Sequence, residues 1–295
     1  MRIAVVGLGG VGGYIFASLT KGSSQCVGFA RGEHLQAIQK NGITIVEDER
    51  RWSRAVDARS LDEADGYFDL VLFCVKSYDL RQAYEKLALH VDEQTVLLSL
   101  ANGVNNGDIL REISGSIVLD ACVYILAHIQ SPSVIRKEGK VFALVFGGEA
   151  EPVRGFSLVL DEVGLRYKIP DDIKTALWKK YIFISAFATL TSYYNKSIGY
   201  VSEFYMDEVK KLLQEIALVA ASKGVDIESE IQKSLNIALS LPYDSSTSMH
   251  LDFQNSRQTE LESLSGYILR EADANGVDTP LMKRMYKKLR AGNLS

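Results

Sequence analysis

The chain has 295 residues, 47% of them hydrophobic and 24% charged, a composition that fits a cored protein and excludes disordered, collagen-like and coiled-coil classes. Its 33 Lys and Arg against 37 Asp and Glu give a net charge of −4. No global positive field then exists to hold a nucleic-acid backbone or an anionic membrane, and small molecules are the expected partners.

In chain order, residues 3–6 are a short apolar run that ends at glycines and read as a buried parallel strand, with a helix expected over about 11–21. Apolar runs at 26–30, 68–75 and 96–100 read as further strands, separated by helix-like segments such as 80–89. The alternation predicts βαβ units stacked as a doubly wound sheet, whose ligands bind beyond the carboxyl ends of the strands. The charged run 47–51 reads as a solvated turn. Segments 117–126 and 134–148 read as later strands, the latter with a turn at Glu138-Gly139 and the pair antiparallel at an edge. After Pro170 the texture becomes helical. Asp171 is the expected N-cap of a helix reaching about Tyr194, and segments 203–223 and 255–275 are helical stretches closed by Gly224 and Gly276. The expected organisation is a Rossmann-type α/β domain over 1–169 followed by an all-helical domain over 170–295.

Cys26, Cys74 and Cys122 form no CxxC pair and are odd in number, so a disulfide framework is not expected and a reducing compartment, the cytoplasm, is. The histidines at 34, 90, 128 and 250 never recur at ligand spacing, and no metal is expected. Five glycines between Gly7 and Gly13 argue against a secretory signal, and the uncharged stretch 181–195 falls short of the roughly 20 residues a bilayer span needs.

The segment Gly7-Leu8-Gly9-Gly10-Val11-Gly12 is GxGxxG between a strand and a helix. Gly7 permits the tight turn, Gly9 lets backbone approach a pyrophosphate, Gly12 lets helix and strand pack closely, and the helix N-terminus supplies N–H groups and positive partial charge. An anionic dinucleotide is the expected ligand. ATP-binding adenylyltransferases of the ubiquitin-activating type share such a loop, but their next strand ends in acidic residues. Here it ends in Arg31, whose forked donors suit a 2′-phosphate and favour NADP(H) over NAD(H), although Glu33 also stands ready to read ribose hydroxyls. Lys76 and Asn102 follow the strands at 68–75 and 96–100 and face the same crevice.

Taken together, GLGGVGG, the Arg31 position, CVK with Lys76, ANG with Asn102, WKK with Lys180, and SSTSM followed by RQTELESLSG resemble the ketopantoate reductase (2-dehydropantoate 2-reductase) family over nearly the whole chain. The resemblance implies NADPH-dependent reduction of 2-dehydropantoate to pantoate, on the route to pantothenate and coenzyme A. It implies Lys180 as general acid, Glu260 as the glutamate that holds the substrate hydroxyl, supports the lysine and lies at the cofactor, and Ser248 as the serine that binds the substrate carboxylate. One departure concerns substrate. One and two turns beyond Lys180 the family commonly carries asparagines that contact substrate, where this chain has Ile184 and Ala188. An apolar wall there favours a less hydroxylated 2-oxo acid. The expected partners are thus a small 2-oxo acid and no nucleic acid or membrane, with a homodimer left open. A non-catalytic NADP(H)-binding sensor is the remaining alternative.

Overall fold

The computed structural model describes residues 1–292. The chain forms two compact units: residues 1–101 with 105–173, and residues 102–104 with those from 174 onward.

In the first unit, β1 (Arg2–Val6) lies between β2 (Gln25–Phe29) and β6 (Leu70–Phe73), parallel to both. Ile3, Ala4 and Val5 are wholly buried, as a strand covered on both faces requires. Parallel pairing continues through β7 (Val96–Ser99) to the start of β8 (Ile117–Ser131). β8 then turns back as the antiparallel β9 (Val134–Gly147). β3 (Ile43–Glu47) pairs with β9, β4 (Arg50–Arg54) with β3, β5 (Asp57–Arg59) with β2, and β10 (Tyr167–Lys168) with β9. Helices α1 (Gly10–Leu19), α2 (Gly32–Asn41), α3 (Leu80–Leu87), α4 (Asn106–Ile113) and α5 (Ala150–Val163) accompany this sheet.

Several expectations are corrected here. The β8–β9 reversal is at Pro132-Ser133, with Ser133 at φ +64°, and Glu138-Gly139 lies inside β9. Leu126 faces Glu138 while Ile125 faces Phe142, so the ladder bulges over 139–141. Lys137, only 3% exposed, donates to the Gly139 carbonyl at 2.8 Å and pairs with Glu47 at 2.7 Å, which supplies a partner where the ladder is interrupted. Nor is the pair at an edge, because β3 and β4 extend the sheet beyond β9. In the 47–51 run only Asp48 and Glu49 turn, and Arg50 and Arg51 belong to β4. That strand is exposed and polar, so hydrophobic periodicity could not reveal it.

The second unit is helical: α6 (Ile173–Tyr194), α7 (Ile198–Phe204), α8 (Met206–Ser222), α9 (Ser229–Ser240), α10 (Ser248–Gln254), α11 (Tyr267–Asn275) and α12 (Pro280–Arg290). Helix α6 begins after Asp172, not at an Asp171 cap. The 203–223 stretch breaks at Tyr205, and in 255–275 the chain turns at Ser256 (φ +53°) and enters α11 through a π-helical segment, Glu262–Gly266. Trp178, Tyr181, Ile182, Phe187 and Leu190 of α6 join Leu212, Leu213 and Ile216 of α8 in the core. The uncharged stretch 181–195 is thus mostly a central helix, several of whose polar side chains bond backbone carbonyls. Ser185 donates to the Leu264 carbonyl at 2.8 Å and Thr189 to the Ser185 carbonyl at 2.7 Å. Among the described residues no helix is long and apolar enough to cross a membrane.

Candidate active site

The four glycines of the GxGxxG segment serve different ends. Gly7, at φ +95°, donates its N–H to the Phe29 carbonyl at 2.9 Å, and a Cβ there would lie 2.9 Å from the Val75 nitrogen. A Cβ on Gly10 would sit 2.1 Å from the Ala127 carbonyl oxygen, and one on Gly12 2.0 Å from the Gly7 carbonyl oxygen. These three positions exclude side chains because protein backbone or neighbouring strand fills the space. At Gly9 a Cβ would meet nothing within 4 Å, so packing does not demand glycine there. Gly9 is also the N-cap of α1; no side chain caps that end and its first turn carries no acidic residue. Unpaired first-turn amides and an uncompensated helix dipole make an anion site. The side chains of Leu8 and Val11 turn to the protein, Leu8 buried and Val11 packed against the core.

His34, which sequence reasoning left aside, fixes this loop. Its Nε2 is 2.9 Å from the Leu8 carbonyl and its Nδ1 3.2 Å from the Ser133 nitrogen. A carbonyl can only accept and an amide N–H only donate, so the ring is neutral with the proton on Nε2. Burial holds its pKa below the ordinary histidine value. No motif announces this role.

The residues after the strands are placed as follows. Arg31 precedes α2, is 89% exposed, and pairs with Asp79 at 3.4 Å. Lys76, half-buried, precedes a single 3-10 turn, Ser77–Asp79. Cys74, between β6 and Lys76, is pushed by burial up to about 12, which makes it an unreactive thiol. Beyond β7, Asn106 donates to the Ala101 carbonyl at 3.0 Å and fixes the turn that presents Asn102.

In the helical unit, which includes residues 102–104, Lys180 Nζ donates to Asn102 Oδ1 at 3.2 Å. Lys180 is half-buried while Lys179 is exposed, as a 100° step around α6 dictates. Glu260 is 2% exposed and does not lie on a solvated face. Ser248 is exposed in the first turn of α10, but the cap is Thr247, which accepts from the His250 nitrogen at 3.3 Å. The buried His250 holds the same segment, with Nδ1 2.7 Å from Ser246 Oγ and Nε2 2.9 Å from Asn195 Oδ1. Ile184 is half-buried and Ala188 buried. Geometry therefore joins Lys180 to Asn102 directly.

Comparison with known proteins identifies the family and the fold. Residues 3–148 match the family Ketopantoate reductase PanE/ApbA, and residues 172–293 match its C-terminal counterpart. An uncharacterized oxidoreductase, YkpB of Bacillus subtilis, is 26% identical, with 98% of each chain covered. The PanE/ApbA family ketopantoate reductase of Ralstonia eutropha is 27% identical with a TM-score of 0.92, covering 99% of this chain and 98% of that one. D-mandelate dehydrogenase, solved with NADH and anilino(oxo)acetate, is 20% identical with a TM-score of 0.89 over 99% and 98% of the two chains, a likeness of fold. The chain belongs to the ketopantoate reductase PanE/ApbA family and is an oxidoreductase acting on a CH–OH group.

Proposed function

We propose that the chain reduces a 2-oxo acid to the 2-hydroxy acid with NADPH, that residues 1–169 hold the dinucleotide and 170–295 the substrate, and that 2-dehydropantoate is the first substrate to test. The observation that carries the reading is the half-buried Lys180 ammonium held by Asn102 at 3.2 Å. A cation with a fixed direction costs little reorganisation when charge develops beside it.

The residues present fit a dinucleotide: Gly9 leaves backbone open at an uncapped helix N-terminus, which suits a pyrophosphate. Gly7, Gly10 and Gly12 shape that loop, Arg31 and Lys76 supply cations to the cofactor, and Asn102 serves cofactor and substrate. When bound, NADPH supplies the hydride. Lys180 protonates the carbonyl oxygen as alkoxide charge grows, with Asn102 Oδ1 holding the ammonium in place between turnovers. Glu260 holds the nascent hydroxyl and Ser248 the substrate carboxylate. The odd number of cysteines and the lack of a CxxC pair in the sequence are the ground for proposing a cytoplasmic setting.

A second reading keeps the reaction and changes the substrate. Ile184 and the buried Ala188 offer no hydrogen bond where family members carry asparagines, and a site lacking those partners loses its means of selecting a hydroxylated acid. On the same fold, D-mandelate dehydrogenase is seen with anilino(oxo)acetate. Steady-state NADPH oxidation with 2-dehydropantoate and with aliphatic and aromatic 2-oxo acids lacking the 4-hydroxyl separates the two readings by kcat/KM. Oxidation with none of them rejects both.

A further inference from the structure

The proposed cofactor reading leaves open how strictly NADPH is preferred, and the residues around β1 bear on it. β1 lies between β2 and β6. Arg31 follows β2, Asp79 follows β6, and the two meet at 3.4 Å. The pair therefore joins the chain segments that flank the β1 end carrying the glycine segment. Asp79 opens α3 at a position where aspartate commonly caps through its side chain, yet it makes no cap hydrogen bond. Its carboxylate is turned to Arg31. Glu33 adds a second acidic group in the first turn of α2. Two cations, Arg31 and Lys76, thus stand with two carboxylates, Glu33 and Asp79, where a 2′-phosphate would need net positive charge.

We propose that Asp79 is a specificity-determining residue at the adenosine end. Resting on the dinucleotide reading above, its carboxylate competes with a ribose 2′-phosphate for Arg31 and repels that phosphate, so the enzyme discriminates only weakly between NADPH and NADH. A phosphate near −2 in charge feels a carboxylate at this range even in a water-like dielectric, whereas the unphosphorylated ribose does not. The Arg31–Asp79 pair is exposed and weak in itself, so displacing it from Arg31 costs little and the effect is graded, not absolute.

The test is kcat/KM for NADPH and for NADH, with dinucleotide Kd by fluorescence titration, in wild type, D79N, D79E and D79N/R31A. D79N is expected to raise kcat/KM for NADPH about five-fold, or about 1 kcal/mol at 1.4 kcal/mol per tenfold, mainly through KM, and to change that for NADH less than about two-fold. D79E, which keeps the charge, should stay within about two-fold of wild type, and adding R31A should shrink the gain. An unchanged NADPH value in D79N overturns the proposal. So does a loss confined to NADH, which would assign the carboxylate to ribose hydroxyls. Dinucleotide binding without turnover of any 2-oxo acid rejects the reductase reading while the Kd ratio still tests Asp79. Absence of binding to either dinucleotide rejects both.

Discussion

Helices α1 and α12 both begin with N–H groups that lack intrahelical partners, and the two units answer that need differently. In the helical unit Glu215, 5% exposed, accepts from the Leu281 nitrogen at 2.9 Å and the Met282 nitrogen at 2.8 Å, so a carboxylate of α8 closes the end of α12. Burial pushes that carboxyl above the ordinary range although both amides pull it down. In the α/β unit the start of α1 has no capping side chain, no acidic residue in the first turn, and open space at Gly9. An anion site completed by the protein is structural; one left to the solvent side is available to a ligand. At these two helix starts the α/β unit leaves backbone unpaired while the helical unit pairs it through Glu215, and in the proposed function the helical unit contributes a side chain, Lys180.

The contrast is tested most severely at Lys180. If the helical unit supplies chemistry and the glycine segment supplies binding, Lys180→Ala lowers kcat about 10²–10⁴-fold with little change in dinucleotide Kd, measured by steady-state kinetics and fluorescence titration. A parallel loss of dinucleotide affinity would erase the division between the units.

The glycines sharpen it next. Gly12→Ala puts a methyl 2.0 Å from the Gly7 carbonyl oxygen and is expected to destabilise the fold by about 1–3 kcal/mol or more in urea unfolding. Gly9→Ala meets nothing within 4 Å, so stability should stay within about 0.5 kcal/mol of wild type while dinucleotide Kd rises at least about tenfold. Equal behaviour of the two variants would show that Gly9 is held by packing after all.

This difference explains what could be read without coordinates. Gly7, Gly9 and Gly12 announce themselves because a backbone site constrains residue type over consecutive positions, and the alternating apolar runs mark β1, β2, β6 and β7. Lys180 and Ser248 are single side chains on helices and Glu260 one just before a helical segment; spacing alone does not separate them from surface residues, and only the family resemblance singles them out. The partners that define geometry were harder still. Asp79 and His34 belong to no motif, and β4 is exposed and polar, so neither periodicity nor a motif pointed to them. The Glu138-Gly139 turn signal was real chemistry, a glycine at φ +64°, expressed as a bulge because Lys137 takes its carbonyl.

At the start of α12 the expected effect is smaller. Glu215→Gln leaves one oxygen for two N–H donors, so one buried amide faces an NH₂ group, and unfolding free energy should fall by about 1–3 kcal/mol with no change in dinucleotide Kd. A loss of affinity instead would mean that the two helix ends are coupled.

The smallest effect lies where the units are alike. Each pins a loop with a neutral histidine, the half-buried His34 at Leu8 and Ser133, and the buried His250 at Ser246 and Asn195. Burial lowers both pKa values below 6.5. The unfolded chain therefore binds protons near pH 6.5 that the folded chain refuses, so their stabilisation is complete above that pH and declines as pH falls towards the folded values. The slope is at most about 1.4 kcal/mol per pH unit for each proton. His34→Gln removes its share of the slope while its amide can still donate to the Leu8 carbonyl, whereas His34→Leu removes the slope and also loosens the glycine segment. Urea unfolding between pH 5 and 7, paired with dinucleotide Kd, should therefore show the same reduced acid slope in both variants but weakened binding in His34→Leu alone. Weakened binding in both would mean that accepting from the Ser133 amide matters as much as donating to Leu8.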